Sequence, residues 1–225
     1  MKHIEHELLT LKEEVNQMWK LVLSQLEKVK QAFFNQDIDL AREVVSREKR
    51  VNAFELKIDS DCENYIALYA PVAIDLRLAL SLIKISLTLE RIGDFAAGIA
   101  RHIVDDDCNK IDSQVVEELQ IEKTFDIVTS MLADCFVALE SENTKISGKI
   151  IAKDEEVDAI FRSAIHILAA WVENNPSMAH CAFKTYLLMR KLERIGDHCS
   201  NIVEEIVFYV DAKVLKHKGK KKTEL

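Results

Sequence analysis

Glycine and proline are nearly missing from this chain, at 5 and 2 of 225 residues. With so few turn formers, connections must be few and the elements between them long, which favours an all-helical protein. No apolar run approaches the ~20 residues that a spanning helix needs. The opening Met1-Lys2-His3-Ile4-Glu5 has no apolar stretch of the signal-peptide kind. Net positive charge is absent too. Lys and Arg number 30 against 38 Asp and Glu, for a net charge of −8, which argues against a general nucleic-acid binder.

Paired cysteine motifs are also lacking. Cys62, Cys108, Cys135, Cys181 and Cys199 are odd in number and contain no C-x-x-C, which reads as reduced thiols of a cytoplasmic protein, mostly core filler. There is no Gly-rich phosphate loop, no G-x-S-x-G and no supported Cys/His arrangement. The expectation is a soluble cytoplasmic protein with at most peripheral membrane contact.

What is present is a repeat. Leu89-Glu90-Arg91-Ile92-Gly93-Asp94 recurs unchanged as Leu192-Glu193-Arg194-Ile195-Gly196-Asp197, 103 positions later. Six identical residues of mixed polarity mark an internal duplication. Apolar stripes at steps of three and four predict six helices around it. The first carries Leu8, Leu11, Val15, Met18, Val22, Leu26, Val29 and Phe33, the second Leu40 to Tyr65, the third Leu82 to Ile103. Asp37 is placed to cap the second helix, and Pro71 to stop it and open the third.

The second half repeats the plan. Its stripes run Phe125 to Leu139, Ile146 to Trp171 and Leu188 to Tyr209. The expected architecture is all-α, two tandem antiparallel three-helix bundles with helices of about 30 residues, roughly 45 Å each. Residues 1–106 and 107–211 form the halves, and 212–225 a lysine-rich, disordered tail. That tail reads either as a solvated terminus or as a weak contact for anionic lipid or an acidic partner.

Each motif sets two acids four apart on one helical face, Glu90 with Asp94 and Glu193 with Asp197. Such pairs repel by a few tenths of a kcal/mol when no cation is near. Aligning the second and fifth helices at an offset of 106 sets Glu48 and Asn52 against Asp154 and Asp158. All these residues flank the core in one register, and clustered oxygens are what a hard or borderline cation requires. Gly93 and Gly196 stand between the acids despite the ~1 kcal/mol that a mid-helix glycine costs. No Glu has His three residues later, so the ferritin-like di-iron pattern does not apply. His198 follows Asp197, but its side chain points about 100° away.

Two helical triplets with Glu-Arg-Ile-Gly-Asp on the third helix of each resemble the PhoU family of phosphate-uptake regulators. Pro71-Val72-Ala73-Ile74-Asp75-Leu76-Arg77 is similar to that family's Pro-x-x-x-Asp-Leu-Arg segment, as is the stretch around His3 and His6. The likeness spans all but the lysine tail. It implies transition-metal clusters of iron, zinc or nickel. Carried over by position, the first site would use Glu48, Glu90 and Asp94, with Asn52 a weak ligand. The second would use Asp154, Asp158, Glu193 and Asp197. After Pro176 the second half has no Asp-Leu-Arg, so the two halves should not be equivalent. The resemblance also implies a non-enzymatic homodimer linking the phosphate ABC transporter to a sensor histidine kinase. Two other readings stay open, a carboxylate-bridged metalloenzyme and a purely structural helical protein.

Overall fold

Residues 2–105 and 111–214 are described by a computed structural model. The first stripe forms α1 (Lys2–Asn35), and Leu11, Val15, Met18, Val22, Leu26 and Val29 are all buried along it. Asp37 caps α2 (Ile38–Tyr69), its Oδ1 accepting from the Leu40 amide at 2.9 Å. The third stripe forms α3 (Ala73–Val104). A short helix α4 (Ser113–Glu118) precedes α5 (Ile121–Glu140), α6 (Ser147–Asn174) and α7 (Ala179–Asp211). Six of these helices are long, and no strand occurs among the described residues.

Two expectations are corrected. Pro71 does not open α3. It lies in the link Ala70–Val72, after Ala70 has ended α2 in the left-handed region (φ 44°), and α3 begins at Ala73. The first long helix of the second half is also shorter than about 30 residues. α5 has 20, because Gln120 (φ 50°) breaks it from the six-residue α4. The expected boundary at 106 and 107, Cys108 and most of the lysine tail lie outside the described residues.

Helices α1, α2 and α3 pack on one another, as do α5, α6 and α7. The halves then meet along two seams, α3 with α7 and α1 with α5. The α3–α7 seam is antiparallel. Arg77 Nε donates to the Tyr209 carbonyl (3.1 Å), Phe95 packs on His198 (5.6 Å between rings), and Lys191 Nζ meets His102 Nε2 (2.6 Å). In the α1–α5 seam, Trp19 Nε1 donates to the Leu132 carbonyl at 3.1 Å. A single hydrophobic cluster runs through both halves. Each fully buried Leu or Ile in it contributes ~1.5–3 kcal/mol over leaving it in water.

Candidate metal centre

The glycines of the motif decide how closely the acid-bearing helices approach. In the second half, Val157 (α6) and Ile195 (α7) are buried, which fixes the rotation of both helices. Asp154, Asp158 and Asp197 then lie half-buried at the α6–α7 crevice, and one carboxylate oxygen from each falls within 4.8 Å of the others. A Cβ added at Gly196 would stand 2.8 Å from Asp154 Oδ1. Glycine is therefore what lets that carboxylate enter. Ser200 Oγ donates to Asp154 Oδ2 at 2.9 Å and steadies it.

Glu193 joins the group electrostatically. Burial pushes its carboxyl above the ordinary glutamate range. Asp197 and Asp158 push it the same way, against smaller opposing effects of Arg194 and Arg190. Acids pressed together and desolvated this way favour any species that brings positive charge.

The first half is arranged differently. Glu48 on α2 is drawn into an ion pair with Arg101 of α3. The position 103 residues beyond Arg101 is Glu204, an acid where the first half has that cation. Glu90 is pushed upward by burial, then by Asp94, with Glu55 adding and Arg91 opposing. Glu90 Oε2 and Asn52 Oδ1 are buried and accept no hydrogen bond, and Arg91 Nε stands 3.6 Å from Glu90 Oε2. Among the described residues the only three-acid grouping of ligand atoms is the one in the second half. Of the expected site residues, the structure thus brings together Asp154, Asp158 and Asp197, with Glu193 beside them. It keeps Glu90 by Asp94 and pairs Glu48 with Arg101.

Two residues beside the first-half acids escaped sequence reasoning. Glu55 lies one turn beyond Asn52 on α2 and bears on Glu90. Gln25 interrupts the apolar stripe of α1 yet is fully buried; a polar residue inside such a stripe was the available signal. His198 does not join the acids, since its ring packs on Phe95 in the seam. Cys62, Cys135, Cys181 and Cys199 are buried thiols.

The donor set fits a hard or borderline cation in the second half, with only carboxylate oxygens converging. In the first half, buried oxygens without donors give a weaker fit of the same kind.

With this geometry in place, comparison with known proteins gives a consistent result. The PhoU domain model matches residues 15–103 and again 121–206. The chain belongs to the PhoU domain family. It is 32% identical over 213 residues to the phosphate-specific transport system accessory protein PhoU of Edwardsiella tarda, covering 95% of this chain and 86% of that one. The Escherichia coli K12 protein of the same name is 31% identical, covering 95% and 87%. Among solved structures, the phosphate transport system regulatory protein PhoU from Streptococcus pneumoniae superposes with a TM-score of 0.85 at 25% identity, covering 94% of this chain and 99% of that one. The names of these PhoU proteins are those of accessory and regulatory proteins, not of enzymes. No helix among the described residues is long and apolar enough to cross a membrane.

Proposed function

We propose that this chain is a cytoplasmic, metal-binding regulator of phosphate uptake and phosphate-starvation signalling, an adaptor between a phosphate ABC transporter and a sensor histidine kinase. The observation that carries the metal-binding part is the convergence of Asp154, Asp158 and Asp197 within 4.8 Å on two different helices. Asp154, Asp158, Glu193 and Asp197 would hold the cation of the second half, and Glu90, Asp94 and Asn52 that of the first. A bound cation supplies the positive charge that neutralises these acids and ties neighbouring helices together. The all-oxygen donor set suits a hard or borderline cation, with iron, zinc and nickel the transition metals that the family resemblance implies.

The regulatory part rests on relatives named as accessory proteins of phosphate transport. A partner, or a second copy in a homodimer, has apolar surface to use. Leu56, Leu68 and Val72 of the first half stand 67%, 75% and 73% exposed. An adaptor must bind its partners with different affinity in different states, and cation occupancy of the crevices is a means to that.

The test is a deletion strain grown in phosphate-rich medium. Phosphate-starvation genes are expected to stay on, to be silenced by the wild-type chain, and to be silenced less by Asp158→Asn/Asp197→Asn. Normal repression in the deletion strain would defeat the regulatory reading. Elemental analysis of wild type and variant checks the metal separately.

A further inference from the structure

Each motif glycine has one oxygen seated over it, and the two oxygens come from different helices. Over Gly196 it is Asp154 Oδ1, 2.8 Å from where a Cβ would be, and Asp154 is a member of the carboxylate cluster. Over Gly93 it is Gln25 Oε1, at 3.3 Å. The position matching Asp154 in the first half is Glu48, which is occupied with Arg101. The position matching Gln25 in the second half is Met131 at the same offset of 106, and its Cε lies 3.9 Å from the same point on Gly196. The oxygen above the glycine thus comes from α6 in one half and from α1 in the other, where Val51 Cγ1 of α2 shares the space at 3.2 Å.

Gln25 is fully buried. Its Nε2 donates to the Val44 carbonyl at 3.3 Å. A flipped amide would set acceptor against acceptor there, so the oxygen is the atom turned toward Gly93. That oxygen accepts no hydrogen bond, and neither does the buried Asn52 Oδ1, while Glu90 Oε2 has the Arg91 guanidinium 3.6 Å away. A buried carbonyl oxygen without a donor calls for an electropositive neighbour.

We propose that Gln25 is a cation ligand of the first half, its amide oxygen completing from α1 a site with Asn52, Glu90 and Asp94. The inference rests on the metal-binding reading above and goes beyond it in naming a donor helix and a ligand class. Two neutral amide oxygens with two carboxylates, and no nitrogen or sulfur donor, suit a hard divalent cation such as Mn²⁺ or Mg²⁺. The second half, all carboxylate, carries more negative charge. The two sites of one chain therefore differ in selectivity.

The test uses the full-length chain with its second site disabled by Asp158→Asn/Asp197→Asn. Mn²⁺ binding is followed by loss of the free-ion EPR signal, with Mg²⁺ as competitor. In this background Gln25→Met, which installs the residue found at the matching position, is expected to weaken Mn²⁺ binding about 10–100-fold. It should also raise the metal-free melting temperature, since a buried amide is replaced by a thioether. Gln25→Glu is expected to tighten Mn²⁺ binding. Unchanged affinity in both variants would overturn the role of Gln25 and leave the metal-binding reading standing. So would a background protein that binds no Mn²⁺ while the wild-type chain does. If the wild-type chain takes up no divalent metal of any kind, both readings fall.

Discussion

At the scale of single residues, Gly196 carries the most information. A methyl group there would sit 2.8 Å from Asp154 Oδ1, so Gly196→Ala must displace that carboxylate. The expected result is a helical, folded protein whose second-half metal affinity falls at least about tenfold, a change that isothermal titration with the metal reads. Gly93→Ala meets Val51 at 3.2 Å and Gln25 Oε1 at 3.3 Å, a crowding that small shifts relieve, so its effect should be smaller.

The raised glutamates give a second residue-scale prediction. Glu90 and Glu193 hold protons more tightly folded than unfolded. Between the ordinary glutamate range and their raised values, each therefore adds stability as pH falls and loses it as pH rises. His198, pushed down by burial, acts in the opposite direction below its own ordinary range. The readout is thus a difference between proteins. In chelator-treated samples, Glu193→Gln should be more stable than wild type near neutral pH, and the gap should close on acidification. A gap independent of pH would contradict the burial of that carboxyl.

At the scale of helices, the decisive contacts link α3 to its neighbours. Lys84 Nζ reaches Glu205 Oε2 at 2.9 Å, with the glutamate side chain only 9% exposed and the lysine 49%. Lys84→Met removes this ion pair and should cost about 1 kcal/mol in urea denaturation, the lysine being half exposed. Arg101→Gln should release Glu48 toward the first-half acids and strengthen metal binding there, as titration in the Asp158→Asn/Asp197→Asn background would show.

These contacts also mark how far the sequence could be read. Helices were legible because their stripes persist for about four to seven turns, and Asp37 because an N-cap acts within three residues. Pro71 misled because the chain spends Ala70 and Val72 on the link as well. The break at Gln120 was invisible, since buried Val115 and Leu119 carry the apolar character of α5 straight through it. The acid pairs were legible from their spacing. That Arg101 would claim Glu48 was not, because the partners lie 53 positions apart and meet only once α2 and α3 have packed.

At the scale of the molecule, the hydrophobic cluster passes from one half into the other through α1, α3, α5 and α7. Calorimetry should accordingly show one cooperative transition for metal-free protein; two well-separated ones would mean that the seams contribute little. The pair at the centre of the α3–α7 seam has a further consequence. Phe95 and His198 occupy the same position of the two repeats, 103 residues apart, and their rings meet at a tilt of 30°. A position that meets its own copy is the signature of a twofold axis. The α3–α7 seam therefore pairs two copies of one face inside a single chain, as the interface of a homodimer pairs them between chains. A covalent link frees each half from matching the other, and Gln25 against Met131, Arg101 against Glu204 and Phe95 against His198 are positions where the halves differ.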